Sequence, residues 1–205
     1  YVLRRANAYG FELINYGAFL ERFPPRWEAE LKRGAQEEGT AWSCIHGVGR
    51  WRQDCGCRVA DHPGWNQRWR KPLRDAMDGL RDGLAAVFEN EGKKYFTDCT
   101  AARNAYIRVV LQRTDEELDR FFENQSPPGL SPADRVSALQ LLEMQRHGML
   151  MFTSCGWFFN ELSGLEATQI MQYADRALQL AAAVAPDDLE AAFVEKLAEA
   201  VSNIA

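Results

Sequence analysis

From residue 66 onward, apolar side chains recur at helical spacing. Leu73, Met77, Leu80, Leu84, Val87 and Phe88 step by threes and fours, while Arg74, Asp78, Arg81 and Asp82 take other faces. Pro72 falls early, where a first helical turn tolerates a missing N–H, and Gly92 marks the expected stop. A second helix is expected from near Thr100, carrying Ala105, Tyr106, Val109 and Val110. Thr114 and Glu117 have capping-box spacing and predict a restart through Leu118, Phe121 and Phe122. Asn124-Gln-Ser-Pro-Pro-Gly-Leu130 is the clearest breaker. Ser131 before Pro132 then predicts an N-cap and a helix through Val136, Leu139, Leu142 and Met149 toward Phe152. Ser163 with Glu166 repeats the capping-box spacing ahead of Ile170, Tyr173, Ala174, Ala177 and Leu180. Asp187 with Glu190 opens a last helix through Phe193, Leu197 and Val201. No segment alternates with period two, hairpin dipeptides are absent, and no internal repeat appears. The expected class is all-α: one domain over 1–205, with a loop-rich segment at 42–66 and a helical bundle over 66–205.

Residues 42–69 break this pattern. The stretch holds four of the six Trp, three of the five Cys and two of the three His, with Gly47, Gly49, Gly56, Gly64 and Pro63 between them. Long irregular segments in compact domains are uncommon and often functional. So many large rings need cover, either from the bundle or from a ligand.

Cys44-Ile-His46 and Cys55-Gly-Cys57 offer a Cys₃His donor set suited to zinc. Each pair is separated by a single residue, shorter than the usual knuckle spacing. A disulfide among Cys44, Cys55 and Cys57, or three free thiols, stand as the alternatives. An odd count of five cysteines suits a reducing cytoplasm.

Charge changes the picture of this loop. The chain carries 24 basic and 29 acidic side chains, a formal −5, which argues against a coat for nucleic acid. Yet Arg50–Arg74 has seven Arg or Lys against two Asp, locally +5, leaving −10 elsewhere. Basic groups among Trp51, Trp65 and Trp69 suit single-stranded nucleic acid. The same kit suits a sugar, with rings on a pyranose face and His46, Arg50, Asn66 and Gln145 bonding hydroxyls. The acidic remainder disfavours nucleic acid. A plain core role for Trp65 and Trp69, with Arg68, Lys71 and Arg74 as a solvated face, is the bland alternative.

A second constellation runs from Glu143 to His147, four apart and so on one helix face, into Thr153-Ser-Cys-Gly-Trp-Phe-Phe159. It reads equally as a pocket floor or as a polar network fixing helix register. No nucleophile elbow, phosphate loop or metalloprotease motif occurs. Among Asp54, Asp61, Glu143, Glu161 and Glu166, nothing singles out a carboxylate pair for glycoside hydrolysis. At 205 residues and 46% hydrophobic composition the chain can bury a core. It has no apolar run of spanning length, Leu178–Val184 being far too short, and no signal-peptide order at Tyr1–Arg5. No membrane partner is expected, and a start at Tyr1 suggests a piece of a longer chain.

Taken in order, Trp42-Ser-Cys-Ile-His-Gly-Val-Gly-Arg-Trp51, Asp54-Cys-Gly-Cys57, Gly64-Trp-Asn-Gln67, Trp69-Arg70, Glu143-Met-Gln-Arg-His147 and Thr153–Phe159 resemble one helical domain. It is the domain of unknown function 3536 that follows the catalytic barrel of family 57 glycoside hydrolases, and the resemblance runs over residues 10–180. It implies a module of an α-glucan hydrolase or transglycosylase that supports the barrel and helps bind substrate. The nucleophile and the acid/base reside in the upstream barrel, so this stretch carries no catalytic residue. Cys155-Gly156 stands where related family 57 helical regions have Ser-Asp, so that Asp's role is not transferred. The expected substrate contacts are His46, Arg50, Trp51, Trp65, Asn66, Trp69, Gln145, His147 and Trp157. The alternative functions are a structural zinc module on Cys44, His46, Cys55 and Cys57, or a purely fold-stabilising one.

Overall fold

The computed structural model describes residues 1–34, 37–185 and 188–204. They fall into two compact units, Tyr1–Gly39 and Thr40–Ala205. The first holds α1 (Val2–Arg5), a 3₁₀ turn at Ala6–Tyr9 and α2 (Tyr16–Arg22). Asn15 caps α2 by accepting the Ala18 N–H at 2.9 Å. None of these helices buries a residue, so local hydrogen bonds rather than packing define them.

The second unit is the helical body: α3 (Arg70–Gly92), α4 (Cys99–Ala105), α5 (Ile107–Leu111), α6 (Asp115–Gln125), α7 (Pro132–Leu150), α8 (Cys155–Phe158), α9 (Leu165–Ala182) and α10 (Leu189–Leu197). Among the described residues there is no strand, only an isolated bridge between Ala41 and Cys44. The fold is all-α, and no described helix is long and apolar enough to cross a membrane. The centre is α3, α7 and α9 packed together, with α10 against α3 and α8 against α9. The face expected on α3 is the buried one: Leu73, Met77, Leu80, Leu84, Val87 and Phe88 all lie in the core.

On α7 the buried face differs from the expected one. Val136 and Met149 are 56% and 65% exposed, and the seam is Ala138, Leu141, Leu142, Met144 and Gly148. Leu142 is buried as expected, joined by Leu141 and Met144, while at Gly148 the helices approach closely; a β-carbon there would stand 3.3 Å from Leu84 Cδ1.

Caps explain the ends. Ser131 and Asp134 form a reciprocal capping box on α7 with Pro132 at its first position. Thr114 caps α6 by accepting the Glu117 N–H at 3.3 Å. The box expected at Ser163 does not form; Gly164 is the N-cap of α9 without a side-chain bond, because the Ser163 N–H donates to Glu161 instead. Asp187 lies outside the described residues, and Asp188 caps α10 through the Ala191 N–H at 3.2 Å. That helix ends at Leu197, short of Val201.

Candidate metal centre

The loop before α3 turns back twice. After the Ala41–Cys44 bridge, Gly47 takes φ 69°, a 3₁₀ turn covers Gly49–Trp51, and Gly56 takes φ 78°. These turns carry the two donor pairs to one point from two arms of the loop. One ligand atom from each of Cys44, His46, Cys55 and Cys57 falls within 4.8 Å of the other three. Cys44 Sγ is 3.7 Å from Cys55 Sγ, and Cys57 Sγ is 3.6 Å from His46 Nδ1. A tetrahedron with Zn–S bonds of about 2.3 Å and a Zn–N bond of about 2.1 Å has S···S edges of about 3.8 Å and S···N edges of about 3.6 Å. Two edges already match. Gly49 makes the approach possible, since a β-carbon there would stand 3.2 Å from His46 Cβ and 3.3 Å from Cys55 Cβ.

All five cysteines are free, so no disulfide joins the loop thiols. Cys44 is buried, Cys55 and Cys57 are half-buried, and His46 is exposed. Burial opposes the Cys44 thiolate, but the backbone N–H groups of Arg50 and His46, aided by the Cys55 and Cys57 thiols, pull its pKa down to about 7. Burial first, then the Cys44 and Cys57 sulfurs, push Cys55 up to about 11 against the Cys57 N–H. The amides thus favour one thiolate, while a second beside it lacks a compensating charge.

Two cations buried beside the cluster carry the fit further. Arg50 and Arg70 are 4% and 0% exposed. Arg50 Nη1 donates to the Phe158 carbonyl at 3.0 Å, and its guanidinium lies 4.5 Å over the Phe158 ring. Arg70 Nη1 donates to the Cys57 carbonyl at 2.8 Å, and Nη2 to that of Phe159 at 3.3 Å. Among the described residues neither guanidinium forms a salt bridge, and the Nε of each is buried without a partner. Burial, then Arg50, depress Arg70 to about 10, with Cys55, Asp54 and Cys57 pulling the other way. Buried cations without counter-charge are costly. Three thiolates and Asp54 on one side, a divalent ion and two guanidiniums on the other, balance to zero net charge. The donor set and its surroundings therefore fit a divalent metal.

The loop is pinned to the turn before α9. Trp51 Nε1 donates to the Ser154 carbonyl at 2.8 Å, and Trp157 Nε1 to the Arg70 carbonyl at 3.2 Å. Asn160 accepts the Val59 N–H at 2.9 Å and donates to the Ala60 carbonyl at 3.0 Å. Residues 65–205, well over half of the chain, match the family model described as Domain of unknown function (DUF3536). The chain belongs to the DUF3536 family. The DUF3536 match begins later than residue 10 and runs past 180, so the segments from Trp42 to Cys57 precede it, while Arg70 and the 153–160 turn lie inside it. No curated protein matches the chain, and no solved structure does.

The other expected contacts of this DUF3536 chain scatter. Trp69 and Trp157 are 1% exposed, so their ring faces are taken by the core and none is left for a sugar. Gln145 Nε2 donates to the Leu84 carbonyl at 3.0 Å and ties α7 to α3. His147 lines a separate groove between α7 and α9. Asn66 exchanges backbone bonds with the Asn203 side chain at 2.9 and 3.0 Å. Half-buried Trp65 stacks on His62 with centroids 4.3 Å apart. Trp42 is 95% exposed, 6.2 Å from Phe158. Sequence reasoning gave no role to Arg70 or Asn160, which look like an ordinary helix-start cation and a polar residue after an aromatic run, and weighed Glu161 only as one of five carboxylates. The only available signal was a polar pair directly after Trp157-Phe-Phe159, where bulky rings imply burial.

Proposed function

We propose that this chain is a helical module whose aromatic loop is locked by a structural zinc ion, and that it serves an α-glucan hydrolase or transglycosylase of the family 57 type, supporting the catalytic barrel and contributing to substrate binding. The observation carrying the zinc part is the convergence of three sulfurs and one imidazole nitrogen within 4.8 Å. Four protein donors leave no open position for a substrate, which is the mark of a structural rather than a catalytic zinc. Around the loop only Cys44, Gly49, Arg50, Gln67 and Trp69 are buried, too little apolar area to hold it alone. A metal supplies the missing folding energy, on the order of 10 kcal/mol for small zinc modules.

The glucan part is supported by the family 57 resemblance and by ring surface in the loop at exposed Trp42 and at the His62 ring stacked on half-buried Trp65. Aromatic faces of this kind cover the apolar face of a pyranose, while Asn66 stands within the same loop to meet hydroxyls.

Elemental analysis of the chain purified without chelators tests the first part: about one equivalent of zinc is expected, and less than about a tenth would refute it. Titration of the zinc-loaded chain with maltoheptaose, read by Trp fluorescence, tests the second. A saturable change that Trp42→Ala and Trp65→Ala weaken is the expected result, and silence up to about 10 mM counts against binding by this chain alone.

A further inference from the structure

Away from the loop, α7 and α9 border a groove of about 490 Å³. Three guanidiniums line it, from Arg113, Arg146 and Arg176, against one carboxylate, Glu143. That carboxylate is already fully engaged. Glu143 Oε1 accepts the Tyr106 hydroxyl at 2.6 Å and Arg113 Nη1 at 3.2 Å, and Oε2 accepts Arg146 Nη1 at 3.1 Å. Each of those arginines spends one N–H on Glu143 and is oriented by it, which leaves the rest of its fork for another acceptor. Arg176 Nη1 meets only a neutral oxygen, Gln179 Oε1, at 3.0 Å. His147 Nδ1 is buried without a partner at the same groove.

The lining thus carries two excess positive charges in a chain whose total is −5. A monocarboxylate would neutralise half of that excess. A phosphate monoester, at about −1.5 to −2 near neutral pH, matches it. The volume is that of a small-molecule site, and Leu139 and Leu180 supply an apolar wall beside Gln140. We propose that this groove binds the phosphate monoester of a small polyol, with the phosphate held by Arg146 and Arg176, Arg113 at the rim, and the polyol body against Gln140 and the leucines. This site is independent of the metal loop and of the glucan reading.

His147 reports on it. Burial, then Arg146 and Arg176, hold its pKa below the ordinary value, while Glu143 acts the other way and the Tyr173 ring lies 6.0 Å off. A dianion between the two arginines cancels their effect, so the imidazole should take up a proton on binding. The experiment is NMR of the full chain with labelled histidines, His147 being assigned from a His147→Gln spectrum. Glucose 6-phosphate, inorganic phosphate and glucose are added at constant ionic strength. The His147 signal should saturate with glucose 6-phosphate below about 1 mM, with inorganic phosphate at least about tenfold weaker and glucose silent. The apparent pKa of His147 should rise in the complex. Exposed Arg176 bonds only to its own helix here, so Arg176→Gln should fold normally and weaken binding at least about tenfold. No saturable response by about 20 mM would overturn the proposal. So would equal affinity for inorganic phosphate and the ester, or binding unchanged in Arg176→Gln.

Discussion

Gly156→Ala tests how the loop and the bundle are joined. Gly156 is in α8, where a β-carbon would run into Ile170 Cδ1 and stand 2.8 Å from Cγ1 and 2.9 Å from Cγ2. Ile170 is 1% exposed and inside the core of α9, so it has no free rotamer into which to retreat. Overpacking of a rigid core costs about 1–3 kcal/mol. The helix-propensity gain of Ala over Gly, up to about 1 kcal/mol, returns part of it, though α8 spans only four residues. A net loss of about 1–2 kcal/mol is expected, a fall in Tm of about 2–8 °C for a chain of this length. Differential scanning calorimetry on wild type, Gly156→Ala, Ile170→Ala and the double variant supplies the decisive comparison. Ile170→Ala alone opens a cavity and should cost about 2–5 kcal/mol. In the double variant the new methyl group enters that cavity, so the combined loss should be smaller than the sum by at least about 0.5 kcal/mol. Strict additivity, or a Gly156→Ala protein as stable as wild type, would refute the close-approach reasoning. The variant should also bind zinc more weakly, because the 154–160 turn carries the carbonyls that receive Arg50, Trp51 and Arg70.

Arg70→Met keeps the side chain's bulk and removes its charge and its bonds to Cys57 and Phe159. Zinc affinity, measured by chelator competition, should fall about 10–100-fold; an unchanged affinity would end the counter-charge argument. Glu161 accepts bonds from Ser202 at 2.5 Å, Ser163 N–H at 3.1 Å and Asn203 N–H at 3.0 Å. Burial opposes its charge, but Ser202 and these amides outweigh burial and hold its pKa below the ordinary value. Its stabilisation is therefore complete above the unfolded glutamate pKa of about 4.3 and is lost as pH falls through the lower folded value. Glu161→Gln should flatten that limb of a Tm–pH curve, and an identical acid limb would count against it. Ser131→Ala removes the cap of α7 and should cost about 1 kcal/mol in urea denaturation, with no change in slope.

The helices were legible where one face carries large side chains in strict order. The α3 stripe from Leu73 to Phe88 needed only the 3.6-residue period. Caps were legible where chemistry permits one local partner, as at Ser131. They failed at Ser163, where Glu161, two residues before it and held in place by distant Ser202 and Asn203, claims the N–H. The α7 face was read correctly at Leu142 but wrongly at exposed Val136 and Met149, while Leu141, Met144 and the small Ala138 and Gly148 are buried, Gly148 against Leu84 of α3. A small residue at a close approach looks like a neutral position to any hydrophobicity count. Trp69 and Trp157 looked like binding surface from their company, yet both rings are 1% exposed; Trp157 Nε1 donates to the Arg70 carbonyl, which lets that ring be buried, whereas Trp69 Nε1 is buried without a partner.

The donor set itself was legible as chemistry but not as geometry, and the reason bears on how the loop works. Spacing of one residue between ligands is awkward for a single knuckle, because one turn cannot present both side chains to one ion. The fold answers by bringing two such pairs together across a 3₁₀ turn, with Gly49 as the only residue small enough between His46 and Cys55. What holds those arms in register is supplied from the far end of the sequence: carbonyls at 154, 158 and 159 and the Asn160 side chain, all more than eighty residues away. The ligands thus stand outside the DUF3536 segment, while Arg70 and the turn that seat them stand inside it. A loop so dependent on the bundle should fold after it; under the zinc proposal, an ion held by Cys44, His46, Cys55 and Cys57 would then hold the loop's aromatic surface in one conformation.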